Sequence, residues 1–598
     1  MEMLNALEEE VLREISAEEA WGHVEYLSTL DKTSGTEGER KAHEYVRERL
    51  REYGIPFKTY EFDSLISHPK KASLRVVSPS TIELECITHS FSGQTPEGGL
   101  EAGLIHVEVP PGTLHRGLEG LVEEYERAGA KGKAVVVWGV ASPATVLAAQ
   151  LSGALAQINI SGEDILHEMI VTSVWGTPTP ESSLRIPRIP VVSVKRMDGE
   201  LLLQLLKGGD VRVKLEARVD TRWRRIPITV AEISGVEEPE RFMLVHGHMD
   251  SWYLGATDNC TGNAACLELA RVLWKHRNRL KRSVRIAWWS GHSTGRYSAS
   301  TWYADNNFED LDENCFLTMN VDSPGVKGAS KLTGGGLMGT LRFVEMIIKD
   351  SVGVDDVEVR SYAMRAGDQS FYGIGIPSIA VGAAIPEGSP LRGAWIGGSG
   401  GGWWWHSAYD TIDKADRGNL HRDLRMITLA VFRSVNLPIL PFDFSMVAEE
   451  YERAIAEIQT RAASGTFNLL PLLDRVRELG ARAERLKEAT GQLCEADGEA
   501  AREVNRYLMR ASRLLTSTLY TYKGRYDQDP AYGIPVLPAL REAERLSILD
   551  PESSEARFLK TMLVRNMNMV RDKLKEAIEA LDEAYRKASR AGKEKMGL

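Results

Sequence analysis

A short hydrophobic run, Phe242 to Val245, leads into His246-Gly-His-Met-Asp-Ser251 and, after a brief loop, into Asp258 and Asn259. The run predicts a buried strand. A helix is predicted to follow over 262–275, with Ala265, Leu267, Leu269, Ala270 and Leu273 at its apolar positions. Strand, polar loop and helix in that order are the repeating unit of an α/β sheet, whose chemistry lies outside the carboxyl ends of the strands. His248 and Asp258 are therefore expected on loops at such an end, where an imidazole and a carboxylate together suit zinc and its neighbours.

The same alternation continues. Strands are predicted over 241–245, 284–289, 316–321 and 378–381, and helices over 262–275, 295–306 and 336–349. This argues for a mostly parallel or mixed sheet covered on both faces. Upstream, Ser16-Ala-Glu-Glu19 reads as a capping box opening a helix toward Leu27. A second helix is expected over 39–53 and a strand over 58–62. Between about Ser67 and Arg224 the character changes. Short β-like runs (72–77, 103–109, 133–137, 211–217) are broken by Pro and Gly, with helix-like pieces at 144–152 and 197–206. This reads as a β-rich module inserted into the larger domain. After Pro438 and Pro441 the chain turns helical. Leu469, Leu472, Leu473, Val476, Leu479 and Leu486 recur at helical spacing, as do Leu559, Leu563, Met567, Val570, Leu574, Ile578 and Leu581. Met562, Met567 and Met569 are expected to fill core. The divisions are thus 1–66 with 225–440, 67–224, and 441–598.

Composition narrows the function classes. With 598 residues the chain needs several cores, and a net charge of −11 argues against a nucleic-acid binder working by bulk attraction to phosphate. No stretch reaches the ~18 uninterrupted apolar residues that span a bilayer, so no membrane partner is expected. The acidic residues 1–10 lack the apolar centre of a secretory signal. Five scattered cysteines (Cys86, Cys260, Cys266, Cys315, Cys494) fit a reducing, cytoplasmic setting better than a disulfide framework. Cys260 and Cys266 read as buried small hydrophobes, and His276, late in a helix, as a surface residue.

Four groups in order, His248, Asp258, Asp322 in Met319-Asn-Val-Asp-Ser323, and His406 in His406-Ser-Ala-Tyr-Asp-Thr-Ile-Asp413, each follow a predicted strand or sit in a loop. With them the chain resembles the co-catalytic zinc peptidase superfamily. It is most similar to the branch of glutamate carboxypeptidase II, plasma glutamate carboxypeptidase and the transferrin receptor. Lys133-Ala-Val-Val-Val-Trp-Gly139 and Arg188-Ile-Pro-Val-Val-Ser-Val-Lys195 resemble a protease-associated domain, and the tail after Leu440-Pro-Phe-Asp-Phe444 resembles that branch's dimerisation domain. The resemblance implies an α/β, mixed-sheet zinc-peptidase-like domain with a β-rich insert and a C-terminal helical domain. It implies one or two divalent ions of the zinc kind. His248 and Asp322 would hold the first, His406 the second, and Asp258 would bridge them through a residue whose following peptide bond is often cis. Asp250 would orient His248 with its carboxylate. A homodimer through the C-terminal helices and a small peptide or N-acyl amino-acid-like substrate are also implied.

One motif departs from the family. The catalytic loop carries two adjacent glutamates, the general base and a ligand of the second metal. Here it reads Trp288-Trp-Ser-Gly-His-Ser-Thr-Gly-Arg-Tyr297, which puts His292 at the base position and Ser293 at the ligand position. Three readings stay open. His292 replaces the base, since imidazole titrates near neutrality. Or His292 becomes a metal ligand alongside His406. Or catalysis is lost, as in the transferrin receptor. A metal-dependent peptide or amide hydrolase is the main expectation, and a non-catalytic binding protein or a small-molecule amidase the rivals. His246 and Asp368 receive no chemistry. Arg296 and Tyr297 are placed against a substrate carboxylate or oxyanion, with a helix-start ion pair as the alternative for Arg296. Trp403 to Trp405, behind Gly397 to Gly402, are placed either at substrate or in core.

Overall fold

The structure is a computed structural model describing all residues except 1–4, 111–116, 362, 364, 463–466, 492, 494–497 and 597–598; Cys494 lies outside the described residues. Fourteen strands are described: β1 (Phe57–Ser78), β2 (Ile82–Leu84), β3 (Cys86–Thr88), β4 (Leu100–His106), β5 (Ala134–Trp138), β6 (Ala156–Ile160), β7 (Val191–Val194), β8 (Val211–Ile233), β9 (Glu238–His248), β10 (Arg282–Trp289), β11 (Cys315–Asn320), β12 (Lys331–Gly336), β13 (Glu358–Arg360) and β14 (Ile379–Ala384). Eleven of them form one continuous mixed sheet.

Two long antiparallel strands make that continuity. β1 and β8 pair from Phe57 opposite Ala231 to Ser78 opposite Arg212, with the register shifting between Pro69 and Lys71 and again between Val76 and Ser78. The boundaries expected at 66/67 and 224/225 fall inside these strands, where Ile66 faces Arg222. No linker separates insert from main domain; they share a backbone ladder. Residues 211–219 alternate buried and accessible, which is the period-2 pattern of a strand with one face on a core. At one end of the ladder β10 joins β8 antiparallel, and β9 lies between β10 and β11, parallel to both. At the other end β4, β5, β6 and β7 run parallel, with β3 antiparallel at the edge. The insert also carries helices Gly117–Arg127, Pro143–Leu151 and Arg196–Gly208, so it is more α/β than its broken β-like runs suggest.

β9 is buried on both faces from Phe242 to His248, as a central parallel strand must be. Helix Thr261–Lys275 then packs back along it. Asn259 starts that helix, its Oδ1 accepting the Gly262 N–H at 3.1 Å. A Cβ at Gly262 would sit 2.1 Å from the same oxygen, so only glycine permits this start.

Several expectations are corrected. The helix expected over 336–349 begins at Leu341, because Gly334 to Gly336 are strand, paired with Val381 to Ile379 of β14. At Ser16 only half of the capping box forms. The hydroxyl accepts from Glu19 N, but Ser16 N donates to Glu268 (2.6 Å), a better-buried acceptor. The reciprocal box is made at Asn5 and Glu8 instead. His276 is not at the surface; it caps the helix end with 8% exposure. Met562 and Met569 are exposed at 40% and 41%, and of the three methionines Met567 alone packs on the core.

The tail comprises helices Phe444–Arg461, Leu473–Thr490, Gly498–Tyr520 and Ser554–Met596. The two leucine-rich stripes meet inside it, burying Leu479, Leu486, Leu563, Val570 and Leu574. Arg513 anchors the tail to the α/β domain, its guanidinium donating to the carbonyls of Leu311, Asp312, Cys315 and Gly375. No described helix is long and apolar enough to cross a membrane.

Candidate metal centre

His248 closes β9, Asp258 lies in the loop behind it, and Asp322 follows β11 on the adjacent strand. Among the described residues these three bring one ligand atom each to within 4.8 Å of one another. His248 Nε2 is 2.9 Å from Asp258 Oδ1 and 3.7 Å from Asp322 Oδ2. The other oxygen of Asp258, Oδ2, lies 3.1 Å from His406 Nε2. One carboxylate thus divides its oxygens between two imidazoles.

Both imidazoles are oriented from behind by main-chain oxygen. His248 Nδ1 faces the Asp250 carbonyl at 2.8 Å, and His406 Nδ1 faces the Glu168 carbonyl at 2.8 Å. With the proton on Nδ1, each Nε2 is a bare lone pair aimed at a carboxylate oxygen. His248 Nε2 and Asp258 Oδ1 are both enclosed and make no hydrogen bond. Two acceptors in that position need a cation or a proton between them. Burial alone would lower the His248 pKa, but Asp258 and Asp322 outweigh it and hold the ring well above the usual histidine range. Burial lowers His406, whose one facing carboxylate is already shared, and Asp258 is driven well below the carboxylate range by its two imidazoles despite its burial. The donor set fits a zinc-type ion: zinc's nitrogen and oxygen ligands at ~2.0–2.2 Å stand about 3 Å apart across the ion.

Asp250 orients His248, but through its carbonyl and not, as expected, through its carboxylate. The carboxylate is occupied elsewhere. It accepts from the main-chain N–H of His292 (3.1 Å) and Ser293 (2.7 Å) and from Ser34 Oγ (2.7 Å). Its role is to shape the loop that carries His292. The His292 ring lies flat on His248, centroids 3.7 Å apart and planes at 12°, with Tyr297 edge-on at 4.3 Å. Burial, and then the charge on His248, hold His292 well below the ordinary histidine range, which favours the neutral ring. The Asp258–Asn259 peptide is cis.

Several contributors carry no sequence signal strong enough to single them out. Asp410, four residues after His406, accepts from Thr257 N, Thr257 Oγ1 and Asp258 N at 2.7–3.0 Å and so fixes the bridging aspartate; burial and the nearby Asp258 push it up to about 7. The His-Ser-x-x-Asp spacing was its one visible trace. Glu168, from the insert, packs behind His406 with Oε2 enclosed and unpartnered, and burial pushes it up to about 8. His246 Nε2 lies 3.2 Å from Asp368 Oδ1 in a fully buried pair beneath the strand end. The tryptophan run divides its work. Trp404 is core, with Nε1 donating to Thr257 Oγ1, whereas Trp405 stacks on His406 at 3.5 Å and Trp252 lies tilted against that ring at 4.2 Å. The site opens on a cavity of about 640 Å³ lined by Asp258, His292, Asp322, His406, Trp252 and Trp405 among others.

Lys32 holds the approach to this loop. It is fully buried, and its ammonium donates to the carbonyls of Leu27 (3.2 Å), Leu30 (3.0 Å) and Leu254 (2.6 Å). Lys32→Met keeps the stem and strands three carbonyls. A loss of about 2–4 kcal/mol in urea unfolding is expected, and a variant as stable as the parent refutes the assignment.

Residues 229–431 match the description of Peptidase family M28. Over 534 residues the chain is 24% identical to the probable glutamate carboxypeptidase VP8 of Zea mays, covering 76% of this chain and 72% of that one. A 176-residue stretch is 28% identical to transferrin receptor protein 1 of Gallus gallus, covering 25% of this chain and 22% of the receptor. The solved structure of BSAP, a zinc aminopeptidase from Bacillus subtilis, matches with a TM-score of 0.52 at 21% identity, over 70% of this chain and 96% of that one.

Proposed function

We propose that the chain, whose residues 229–431 match Peptidase family M28, hydrolyses a peptide or amide bond with His292 in place of the glutamate base. The observation that carries this reading is the division of Asp258 between the Nε2 atoms of two imidazoles, each with its second nitrogen fixed by a carbonyl. His248, Asp258 and Asp322 would hold a first zinc-type ion; Asp258 and His406 offer a second, weaker position. When bound, such an ion supplies an acidified water and polarises a carbonyl. The residues do the rest. His292, whose ring nitrogens bond no described residue, accepts the proton of the attacking water and returns it to the leaving nitrogen. Trp252 and Trp405 keep bulk water from His406, and Asp410 keeps Asp258 aimed. Small peptides and N-acyl amino acids are the proposed substrates, in keeping with relatives named as glutamate carboxypeptidases.

The test is hydrolysis of dipeptides, N-acyl amino acids and simple amides by protein dialysed against zinc, manganese or cobalt, with and without a chelator. Chelator-sensitive turnover is expected, and turnover of simple amides alone would redirect the reading to a small-molecule amidase. A fully zinc-loaded protein inert toward all three classes sinks it. That outcome favours a second reading, a non-catalytic binding protein. It is supported by the absence of any carboxylate from the loop 290–297 and by the likeness to a transferrin receptor. Either reading includes a homodimer, supported by Ile548, Phe558 and Met562 standing exposed on the helical tail, and a reducing cytoplasmic setting, supported by Cys260, Cys266 and Cys315 as buried free thiols.

A further inference from the structure

Four arginines reach the cavity wall: Arg296, Arg360, Arg365 and Arg392. Two have evident structural work. Arg365 donates to Gln369 Oε1 and to the carbonyls of Tyr520 and Ile534, tying the tail to the domain. Arg392 donates to the carbonyls of Ile385 and Gly400, closing the loop between them. Arg296 is different. Among the described residues its enclosed Nε has no partner, and its one guanidinium bond, to the Ala531 carbonyl, is long at 3.5 Å. The helix-start ion pair expected from sequence does not form; among the described residues no carboxylate lies within ion-pair distance of it.

The chain nevertheless invests in holding Arg296 there. Arg296 and Tyr297 are consecutive non-glycine residues with positive φ (51° and 63°), a conformation that costs energy and persists only where surroundings impose it. The imposition comes from the insert. Gly176 N donates to the Arg296 carbonyl at 2.7 Å, and Trp175 stacks on Tyr297 at 3.9 Å with planes 10° apart. A Cβ at Gly176 would lie 2.6 Å from the Thr301 side chain, so that contact also demands glycine. The tail closes the third side, with Ala531 N bonded to the Ser173 carbonyl. Main domain, insert and tail meet at Arg296 and Tyr297. Arg513 shows what the same side chain does when its purpose is cohesion: its guanidinium is met by four carbonyls.

A buried guanidinium short of acceptors is costly unless an anion arrives. Beside His292, that anion comes with the substrate. Building on the hydrolase reading, we propose that Arg296 is the specificity residue of the cleft and binds a free carboxylate on the amino acid next to the bond cleaved. Guanidinium and carboxylate match as a planar, two-bond pair, which an amide cannot copy. The favoured substrates therefore end in a free carboxylate near the scissile bond, and blocked or amidated counterparts are poor.

Calorimetric titration of the zinc-loaded protein with N-acetyl-leucine and with N-acetyl-leucinamide tests this without relying on turnover. The parent is expected to bind the acid at least about tenfold more tightly than the amide, and Arg296→Gln to lose most of that preference. Arg296→Lys keeps the charge without the fork and should fall between. Zinc content should stay constant across the three, which separates this site from the metal's own attraction for a carboxylate. Should Arg296→Gln fail to fold, as judged by circular dichroism, Arg296→Lys carries the comparison. Equal binding of acid and amide by the parent, binding of neither, or an undiminished preference in the variants overturns the proposal. Preference without any hydrolysis overturns the catalytic reading and leaves Arg296 standing; hydrolysis without preference does the reverse.

Discussion

Asp258→Asn is expected to strip the protein of tightly held zinc and to bring hydrolysis to background. The substitution preserves volume and one oxygen but turns the other into an N–H donor. One of the two imidazoles then faces an N–H that occupies its Nε2 lone pair and cannot ligate an ion, so the bridge is broken whichever way the amide turns. The loop itself should survive, because Asp410 grips Thr257 N, Thr257 Oγ1 and Asp258 N independently of the Asp258 side chain. Loss of a residue that merely positions a ligand costs roughly 10–100-fold in metal affinity. A carboxylate facing both histidines should cost more, so zinc measured after dialysis ought to fall below one tenth of the parent's. Asp410→Asn supplies the contrast. Its remaining oxygen still accepts from one N–H, and its loss should stay within that 10–100-fold range. Full zinc retention by Asp258→Asn would mean that the convergence of His248, Asp258, Asp322 and His406 is not a metal centre.

How far the sequence discloses such a centre depends on the range of the interaction. The strand over 242–245 and the helix from 262 are written in local periodicity, and so both appear close to where they were expected. His248 and Asp258 inherit their places from them. The partition of the chain was legible only in outline. Alternation along 57–78 and 211–233 is interrupted by polar pairs and by Pro69, so each strand reads as two pieces, and the ladder that fuses insert to main domain was invisible. The role of Asp250 was misread for a related reason. Sequence can nominate a carboxylate near a histidine, but whether carbonyl or carboxylate reaches Nδ1 is fixed by where the 290–297 loop comes to rest. Glu168, Lys32 and Trp175 lie 238, 222 and 122 residues from His406, Leu254 and Tyr297, and nothing in their surroundings sets them apart.

The histidine that stands where a glutamate was expected gives the second large effect. His292→Ala is expected to reduce kcat by about 10²–10⁴-fold, the usual span for losing a general base, while leaving zinc content unchanged. The two halves of that expectation separate the readings that sequence left open. A ligand histidine would take metal with it when removed; a base would not. The geometry favours the base. Unlike His248 and His406, whose Nε2 atoms face Asp258, His292 lies flat against one ligand imidazole with its other neighbour the edge of Tyr297. Its loop is set by main-chain bonds from 292 and 293 to the Asp250 carboxylate, which the substitution leaves in place. The neutral ring is favoured, because burial and the charge on His248 both resist a second proton, and a neutral imidazole can accept one from water. His292→Glu discriminates further. If the position is a base site, restoring the family's carboxylate should recover part of the lost rate, since a carboxylate there again faces the cavity beside Asp258 and His406. If His292 serves only to pack on His248, glutamate should be as inactive as alanine or worse, burying a charge against a face that held a flat ring. Equal turnover in the parent and in His292→Ala would remove the proton acceptor from the mechanism altogether.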